Sequence, residues 1–475
     1  MDVTAGGSRG QVVMFVRNDC TRDIRVLREA ATLVERGFAT TIVAVQPNGK
    51  SLPSDEIRGG VRIIRVPVPA NWSRQWREVR HYPWRVVRSA RRGFVDGLRG
   101  GRGQWLRALR IAVGATVLLP YAAIKAVDYA ANRATYPSKS RQPDGLDWLI
   151  RWRHSFVGWA RAAAAAAPSA DVYHGHDLTG LPAALDGRRR TGGAARVVYD
   201  SHELFMEAGT TARQAGWARR VLAYVEGRWI RQVDGLITVN DSIAEELRRR
   251  YGASSAVIIR NTPPRQPTRD RPDHLRQAAE IPAEARIVLY HGGFQRDRGL
   301  EVLAEAMLEP EVAQAHLVYM GFGALQETLE ALAREPRFGG RLHVLPAVST
   351  EELLEWVASA DVSAMPNQPN TLNEWYSTPN KLFESIAVGT PVVGSDFPER
   401  RRIVLDDPDG PLGAVCDPTD PRAVAVALGQ VLGLEPAAAA DLRRRCQKAA
   451  YERWNWELQT ERLMQLYDRL VPIPG

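Results

Sequence analysis

The stretch Tyr376–Asp396, YSTPNKLFESIAVGTPVVGSD, sets an amide, a cation and a carboxylate behind a proline and then closes in an apolar strand. Thr378 is placed to cap a helix, and Pro379 to open its first turn, where a missing N–H costs nothing. Gly389 stops that helix and PVVGSD returns to a sheet. Because the helix follows the strand DVSAMP and its loop, its first amides, those of Asn380 and Lys381 among them, are expected to point toward the strand ends. The positive end of a helix holds phosphate there, and Lys381 adds a full charge. Glu384 lies one turn on, facing the same way as Asn380, where a carboxylate accepts hydrogen bonds from sugar hydroxyls. An ordinary helix start with a solvated lysine fits the same residues, so this segment alone leaves both readings open.

Outward from it, short β-rich runs alternate with helical periodicity. RIVLYHGG, AHLVYMG, RLHVLPA and DVSAMP precede the opening stretch as strands, and Ser349 with Glu352 in STEELLEWVASA forms a capping box. These make a C-terminal domain over 283–454. Upstream, QVVMFVR, TTIVAV, VRIIRVP, DVYHGH, ARVVYD, GLITVN and AVIIRN are strands of a domain over 1–262. Its first helix carries Ile24, Leu27, Ala31 and Val34 on one face, with Gly37 as the stop signal. Strands that are apolar throughout, joined by helical crossovers, imply parallel sheets covered on both faces. The fold class is therefore α/β, with two doubly wound, Rossmann-like domains whose ligands sit at the carboxyl ends of the strands. The proline-rich segment 263–282 reads as a linker.

Composition narrows the function. The 475 residues carry a net charge of +9. Eleven arginines against Glu78 and Asp96 between Trp72 and Arg110 account for all of that excess. A nucleic-acid protein would repeat its basic footprint on its folded domains, so one localised anionic partner is expected instead. The surrounding segment 72–167 is a helical insert holding seven of the thirteen tryptophans. A basic, tryptophan-bearing helix suits the surface of an anionic membrane, and packing of those tryptophans on the first domain is the alternative. Its most apolar run, Ile111–Ile124, is shorter than the ~20 residues a bilayer needs. Cys20, Cys416 and Cys446 are too few and too scattered for a disulfide framework or a zinc site, and no export signal is evident at the N-terminus, so a cytoplasmic protein is expected.

Two histidine clusters, YHGHD and YDSHE, end consecutive strands of the first domain. His176 and Asp177, with His202 and Glu203, are expected to face a cleft, His176 ranking ahead of His174 as the strand tip. Arg22 and Asp23 either line an acceptor side or cap the first helix. No metal is expected, since the histidines lack ligand spacing. Asp407 and Asp409 in DDPDG read as a turn, and GGSRG precedes a strand, which excludes a dinucleotide fingerprint.

PNKLFESIAVGTPVV resembles the donor-site segment of family 4 glycosyltransferases with the GT-B fold, in which two doubly wound domains face each other across a cleft. DCTRDIRVLREAATLVERGF, DVYHGHDLTGLPAAL, VVYDSHELF, DGLITVNDSIAEEL, VIIRNTP and LYHGGFQRDRGLEVL agree in the family's order, leaving out only the basic insert. The resemblance implies a retaining, metal-independent transfer of a hexosyl or N-acetylhexosaminyl group from a nucleotide-diphosphate sugar, with no further cofactor. The donor would lie on the C-terminal domain and a lipid-linked or polysaccharide acceptor largely on the N-terminal one. Glu384 matches the second carboxylate of the family's paired-glutamate motif, expected at the ribose. The first falls at Tyr376, with Glu374 nearby. Arg298 stands where the family has a diphosphate-binding lysine, and that lysine's arginine partner falls at Gly293, beside Gly292. Lys381 would restore the charge. His202 resembles the family's active-site histidine, and residues 455–475 are expected to return to the first domain through Trp456, Leu463, Leu466 and Leu470. A nucleotide-sugar epimerase or a membrane-bound scaffold without catalysis are the competing readings.

Overall fold

The computed structural model describes residues 9–47, 52–68, 145–267 and 271–472, so the basic segment 72–110 and the run Ile111–Ile124 lie outside the described residues. The chain separates into two compact units. One takes the residues up to Val26 with Phe38–Val197 and Gly209–Gln232; the other takes Leu27–Gly37, Val198–Ala208 and everything from Val233.

The first sheet has eight strands: β1 Gly10–Phe15, β2 Phe38–Gln46, β3 Asp55–Arg58, β4 Val61–Pro67, β5 Val172–His176, β6 Arg196–Ser201, β7 Gly235–Thr238 and β8 Val257–Ile258. Their order is β3-β4-β2-β1-β5-β6-β7-β8. The expected parallel pairing departs at one edge, where β3 runs antiparallel to β4 across Gly59 and Gly60, both at positive φ. The second sheet is parallel in every pairing: β9 Arg286–Gly293, β10 Ala315–Phe322, β11 Leu342–Pro346, β12 Val362–Met365, β13 Val392–Ser395 and β14 Gly413–Cys416, ordered β11-β10-β9-β12-β13-β14. Along β9 and β10 alternate side chains enter opposite cores: Val288, Tyr290, Leu317 and Tyr319 on one face, Ile287, Leu289, Val318 and Met320 on the other. Both faces are covered, which is why these strands read as unbroken apolar runs.

Nine helices carry the argument: α1 Ile24–Glu35, α2 Gly158–Ala166, α3 Asp177–Arg190, α4 Asp241–Tyr251, α5 His274–Ala278, α6 Leu372–Tyr376, α7 Asn380–Ala387, α8 Pro398–Val404 and α9 Trp456–Leu470. Several depart from the sequence reading. In α1 the most deeply buried stripe is Val26, Ala30 and Leu33, with the polar Arg25, Glu29 and Thr32 beside it; the expected Ile24, Leu27, Ala31 and Val34 are only partly covered. A helix covered on more than one side hides part of its contact face from an apolar count. The end of the presumed insert is core, because Trp159 on α2 is fully buried and donates from Nε1 to the Val66 carbonyl (3.2 Å). The linker segment likewise contains α5, with Leu275 fully buried and Ile281 nearly so. Finally, α7 starts at Asn380, not Pro379: the proline has ψ 144°, an extended value that makes it the residue before the helix, and no side chain caps that end.

The start of the C-terminal helix is anchored by polar contacts. Asn455 caps α9 by accepting from Leu458 N (3.0 Å), Trp456 donates from Nε1 to Thr32 Oγ1 (3.0 Å), and Gln459 accepts from Arg260 N (3.0 Å). Leu466 lies against β7, where a Cβ on Gly235 would meet it at 3.1 Å. Leu470 is only partly covered. Among the described residues no single helix is long and apolar enough to cross a membrane.

Candidate functional site

Strand order locates the site in the second sheet. From β9 the chain winds one way through β10 and β11, then restarts on the other side with β12, β13 and β14. The carboxyl ends of β9 and β12 therefore form the topological switch point, where doubly wound sheets open a crevice for ligands. Gly292 and Gly293 end β9. Gly292 has φ +117°, and a Cβ there would come within 3.4 Å of the Lys381 ammonium. Lys381, in the first turn of α7, thus reaches the end of β9.

Its ammonium lies 3.6 Å from the centre of the Tyr290 ring, and among the described residues it has no carboxylate partner. Burial, then the nearby Arg298 guanidinium, hold it well below the usual lysine range, against the pull of Glu384. The surrounding carboxylates are engaged elsewhere. Glu384 binds His291 Nε2 through one oxygen (3.0 Å). Glu374 takes Arg298 Nη1 at 3.2 Å to each oxygen and Asn367 Nδ2 at 3.1 Å. Arg298 belongs to a short 3-10 turn after β9, stopped by Gly299 at φ +68°. Arg400 in α8 adds a further cation, fully buried, with Nη2 donating to Ser377 Oγ (2.8 Å). Asn380 is exposed at the start of α7. The α6–α7 loop is pinned at Tyr376, whose carbonyl accepts from Asn240 Nδ2 (2.7 Å), and at Asn373, whose side-chain oxygen accepts from Leu204 N (2.9 Å).

The same unit holds the second histidine cluster. His202 Nε2 lies 3.0 Å from Asp200 Oδ2; the carboxylate is fully buried and the imidazole about one-fifth exposed. This contact fixes the orientation of the ring. Glu203 is partly exposed beside it, its carbonyl accepting from Ser201 Oγ (2.9 Å).

Arg22, Asp23, His176 and Asp177 fall in the other unit. His176, expected at an open strand tip, is instead fully buried and stacked on the equally buried His174, ring centres 4.3 Å apart. Residues two apart on a strand share a face, so the ranking of one histidine over the other does not hold. Asp177 opens α3 at φ +54°, a left-handed conformation uncommon outside glycine. Asp23 caps α1, accepting from Val26 N (3.3 Å) and from Asn18 Nδ2 (2.7 Å), while Arg22 is exposed. Asp407 and Asp409 form the expected turn, with Asp409 N donating to Asp407 Oδ1 (3.1 Å), and both are bound by Arg453. Asp200, His291, Asn367, Asn373 and Arg400 are not among the sequence candidates; Asp200 and His291 lie within the quoted YDSHE and LYHGG stretches, and the other three stand outside any quoted motif, so only the fold aims them.

Residues 285–433, which contain the whole second-sheet site, match the model of the family described as glycosyl transferases group 1, and residues 104–262 match that of the glycosyl transferase 4-like domain. The chain belongs to the group 1 glycosyl transferases. The second match begins at residue 104, inside the basic insert, so the family resemblance reaches further than the motifs alone indicate. Among group 1 relatives, the D-inositol 3-phosphate glycosyltransferase of Xylanimonas cellulosilytica is 31% identical over 250 residues, 49% of this chain and 56% of that protein. The phosphatidyl-myo-inositol mannosyltransferase of Mycobacterium tuberculosis is 30% identical over 207 residues, 42% of this chain and 52% of the relative. The chain thus spans a little over half the length of these curated relatives. Sucrose-phosphate synthase from Thermosynechococcus elongatus shares the fold of this group 1 chain, with TM-score 0.62 at 19% identity over 97% of this chain and 98% of its own.

Proposed function

We propose that this glycosyltransferase is a retaining, metal-independent enzyme that moves a hexosyl or N-acetylhexosaminyl group from a nucleoside-diphosphate sugar to a lipid-linked or polysaccharide acceptor. It does so as a peripheral protein at the cytoplasmic face of an anionic membrane. One observation carries the donor assignment: the Lys381 ammonium stands at the switch point over an aromatic ring, without a carboxylate partner among the described residues, its neighbouring carboxylates being engaged by other groups. A cation held ready in a low-dielectric crevice is what a leaving diphosphate needs, because it stabilises the developing charge without reorganising. Arg298, oriented by Glu374, supplies a second such charge. Glu384, held by His291, keeps its second oxygen for the nucleotide ribose. His202, oriented by Asp200, positions a hydroxyl of donor or acceptor. Among the described residues the side chains around Lys381 are cations and hydrogen-bonded carboxylates, an arrangement that suits departure of the phosphate and attack by the acceptor on the same face, the phosphate taking the acceptor's proton.

The acceptor and membrane assignments draw support from the arginine-rich sequence between Trp72 and Arg110 and from a relative whose name specifies phosphatidyl-myo-inositol. A thermal-shift screen of nucleoside-diphosphate sugars tests the donor: a cognate compound at ~100 times its dissociation constant adds ~2.7 kcal/mol of stability. With the labelled cognate donor and total lipid extract, transfer should retain the anomeric configuration by NMR and persist in chelator. Conversion of the donor without any acceptor would identify an epimerase, and no stabilisation by any nucleotide sugar would refute the assignment.

A further inference from the structure

Arg400 is hard to reconcile with a purely structural role. Its side chain is fully buried, yet among the described residues only Nη2 of its three guanidinium nitrogens has a partner, the Ser377 hydroxyl; Nε and Nη1 are buried and have none there. It stands in the first turn of α8, where the helix's own field disfavours a cation. Its guanidinium packs over the Phe397 ring, 4.8 Å from the centre. Burial pushes its pKa down to about 10; Glu374 partly opposes this, and Arg298 adds to it. Lys381 in turn is disfavoured by both Arg298 and Arg400. Three cations therefore act on one another here, while Glu374 is bound by Arg298 and Asn367, and Glu384 by His291. A buried charge without a partner is strongly destabilising, and such clusters mark sites whose counter-charge arrives with a ligand.

We infer that Arg400 is a diphosphate-binding residue, gripping through Nε and Nη1 a phosphate of the same group that Lys381 and Arg298 hold. The inference rests on the donor reading above and extends it to a residue that sequence gave no reason to single out. The ligand class is a diphosphate whose charge is met from α7 and α8 together. A guanidinium is suited to this because it presents two parallel donors to two oxygens, which an ammonium does not.

Calorimetry with UDP, GDP, ADP and inorganic pyrophosphate, on the full chain and on Arg400→Met, tests this together with thermal melts of both without ligand. The variant should melt no lower than the parent, since it loses an unpaired buried charge. It should bind the preferred diphosphate and pyrophosphate roughly tenfold to a hundredfold more weakly, while the matching nucleoside monophosphate loses less. A lowered melting temperature with unchanged diphosphate affinity would overturn the inference and make Arg400 a packing residue. Arg400→Lys keeps the charge and decides the matter if the methionine variant does not fold: intermediate affinity supports the assignment, parental affinity for every probe refutes it. If the parent protein binds none of the four probes, the donor reading itself fails; if it binds and Arg400→Met binds equally, only this inference does.

Discussion

Lys381 shows how one side chain couples the site to pH. Its pKa is lowered in the folded chain, so any stability linked to it is fully present above the ordinary lysine value and is lost as pH falls through the lowered folded value. Charging this lysine therefore opposes folding of the free protein, and on the donor reading proposed above a bound diphosphate reverses the preference. Between the lowered and the ordinary value, binding must take up protons. Calorimetric titration of the preferred nucleoside diphosphate at about pH 9, in two buffers of different ionisation enthalpy, should detect an uptake of a fraction of a proton. Lys381→Met should abolish it and weaken binding; equal enthalpies in both buffers for the parent would contradict the account. The cysteines make the opposite case. Cys20, Cys416 and Cys446 are buried, and burial is the main cause that pushes each thiol up to about 12. None of the three should react with a thiol reagent at neutral pH in the native protein, and all three should react in guanidinium.

At the scale of elements, one close backbone approach fixes the end of β9 at the switch point. A Cβ on Gly321 of β10 would lie 1.9 Å from the Gly292 carbonyl of β9, and backbone cannot yield as a flexible side chain does. Gly321→Ala should cost on the order of 2 kcal/mol or more and weaken nucleotide binding as β9 shifts, read as a lower denaturant midpoint and a raised dissociation constant. Asn455 is the corresponding anchor of α9. Its oxygen caps Leu458 N and its Nδ2 donates to the Ala450 and Tyr451 carbonyls at 3.1 and 2.7 Å, so Asn455→Ala should cost about 2 kcal/mol. A smaller loss with an altered denaturant slope would point to an effect on the unfolded chain instead. These elements also divide what the sequence discloses from what it hides. β9, β10, β12 and β13 are legible because both faces are buried and most of their residues are apolar. β14 and α5 escape notice because GAVC and HLRQA are too short to show a period, and α7 is misplaced by one residue because a proline fits the end of a loop as readily as a first turn. Lys381 and Glu384 are visible as chemistry three residues apart on one helix. The Arg400 contribution depends on a contact with Ser377 across 23 residues of chain, and no local pattern encodes that.

At the scale of the molecule, the question is where the surplus charge acts. Outside the segment Trp72–Arg110 the chain is balanced, since the whole carries +9 and that segment alone has eleven arginines against two acids. On the membrane proposal, charge so concentrated makes association with an anionic surface depend on that segment and on ionic strength, because each basic residue near anionic lipid contributes on the order of 1 kcal/mol and the field dies within a Debye length of about 10 Å at 0.1 M salt. Cores of the described residues are built without it, so donor binding should not require it. Replacing six of its arginines by glutamate should therefore release the protein from phosphatidylglycerol vesicles in flotation assays at 0.1 M salt, leave binding to phosphatidylcholine vesicles unchanged, and preserve nucleotide-induced thermal stabilisation. Transfer to a lipid acceptor presented in vesicles should fall, while transfer to the same acceptor in detergent should persist, since only encounter at the surface depends on the charge. Retention on the anionic vesicles would remove the segment from the membrane proposal and direct attention to other surfaces of the chain.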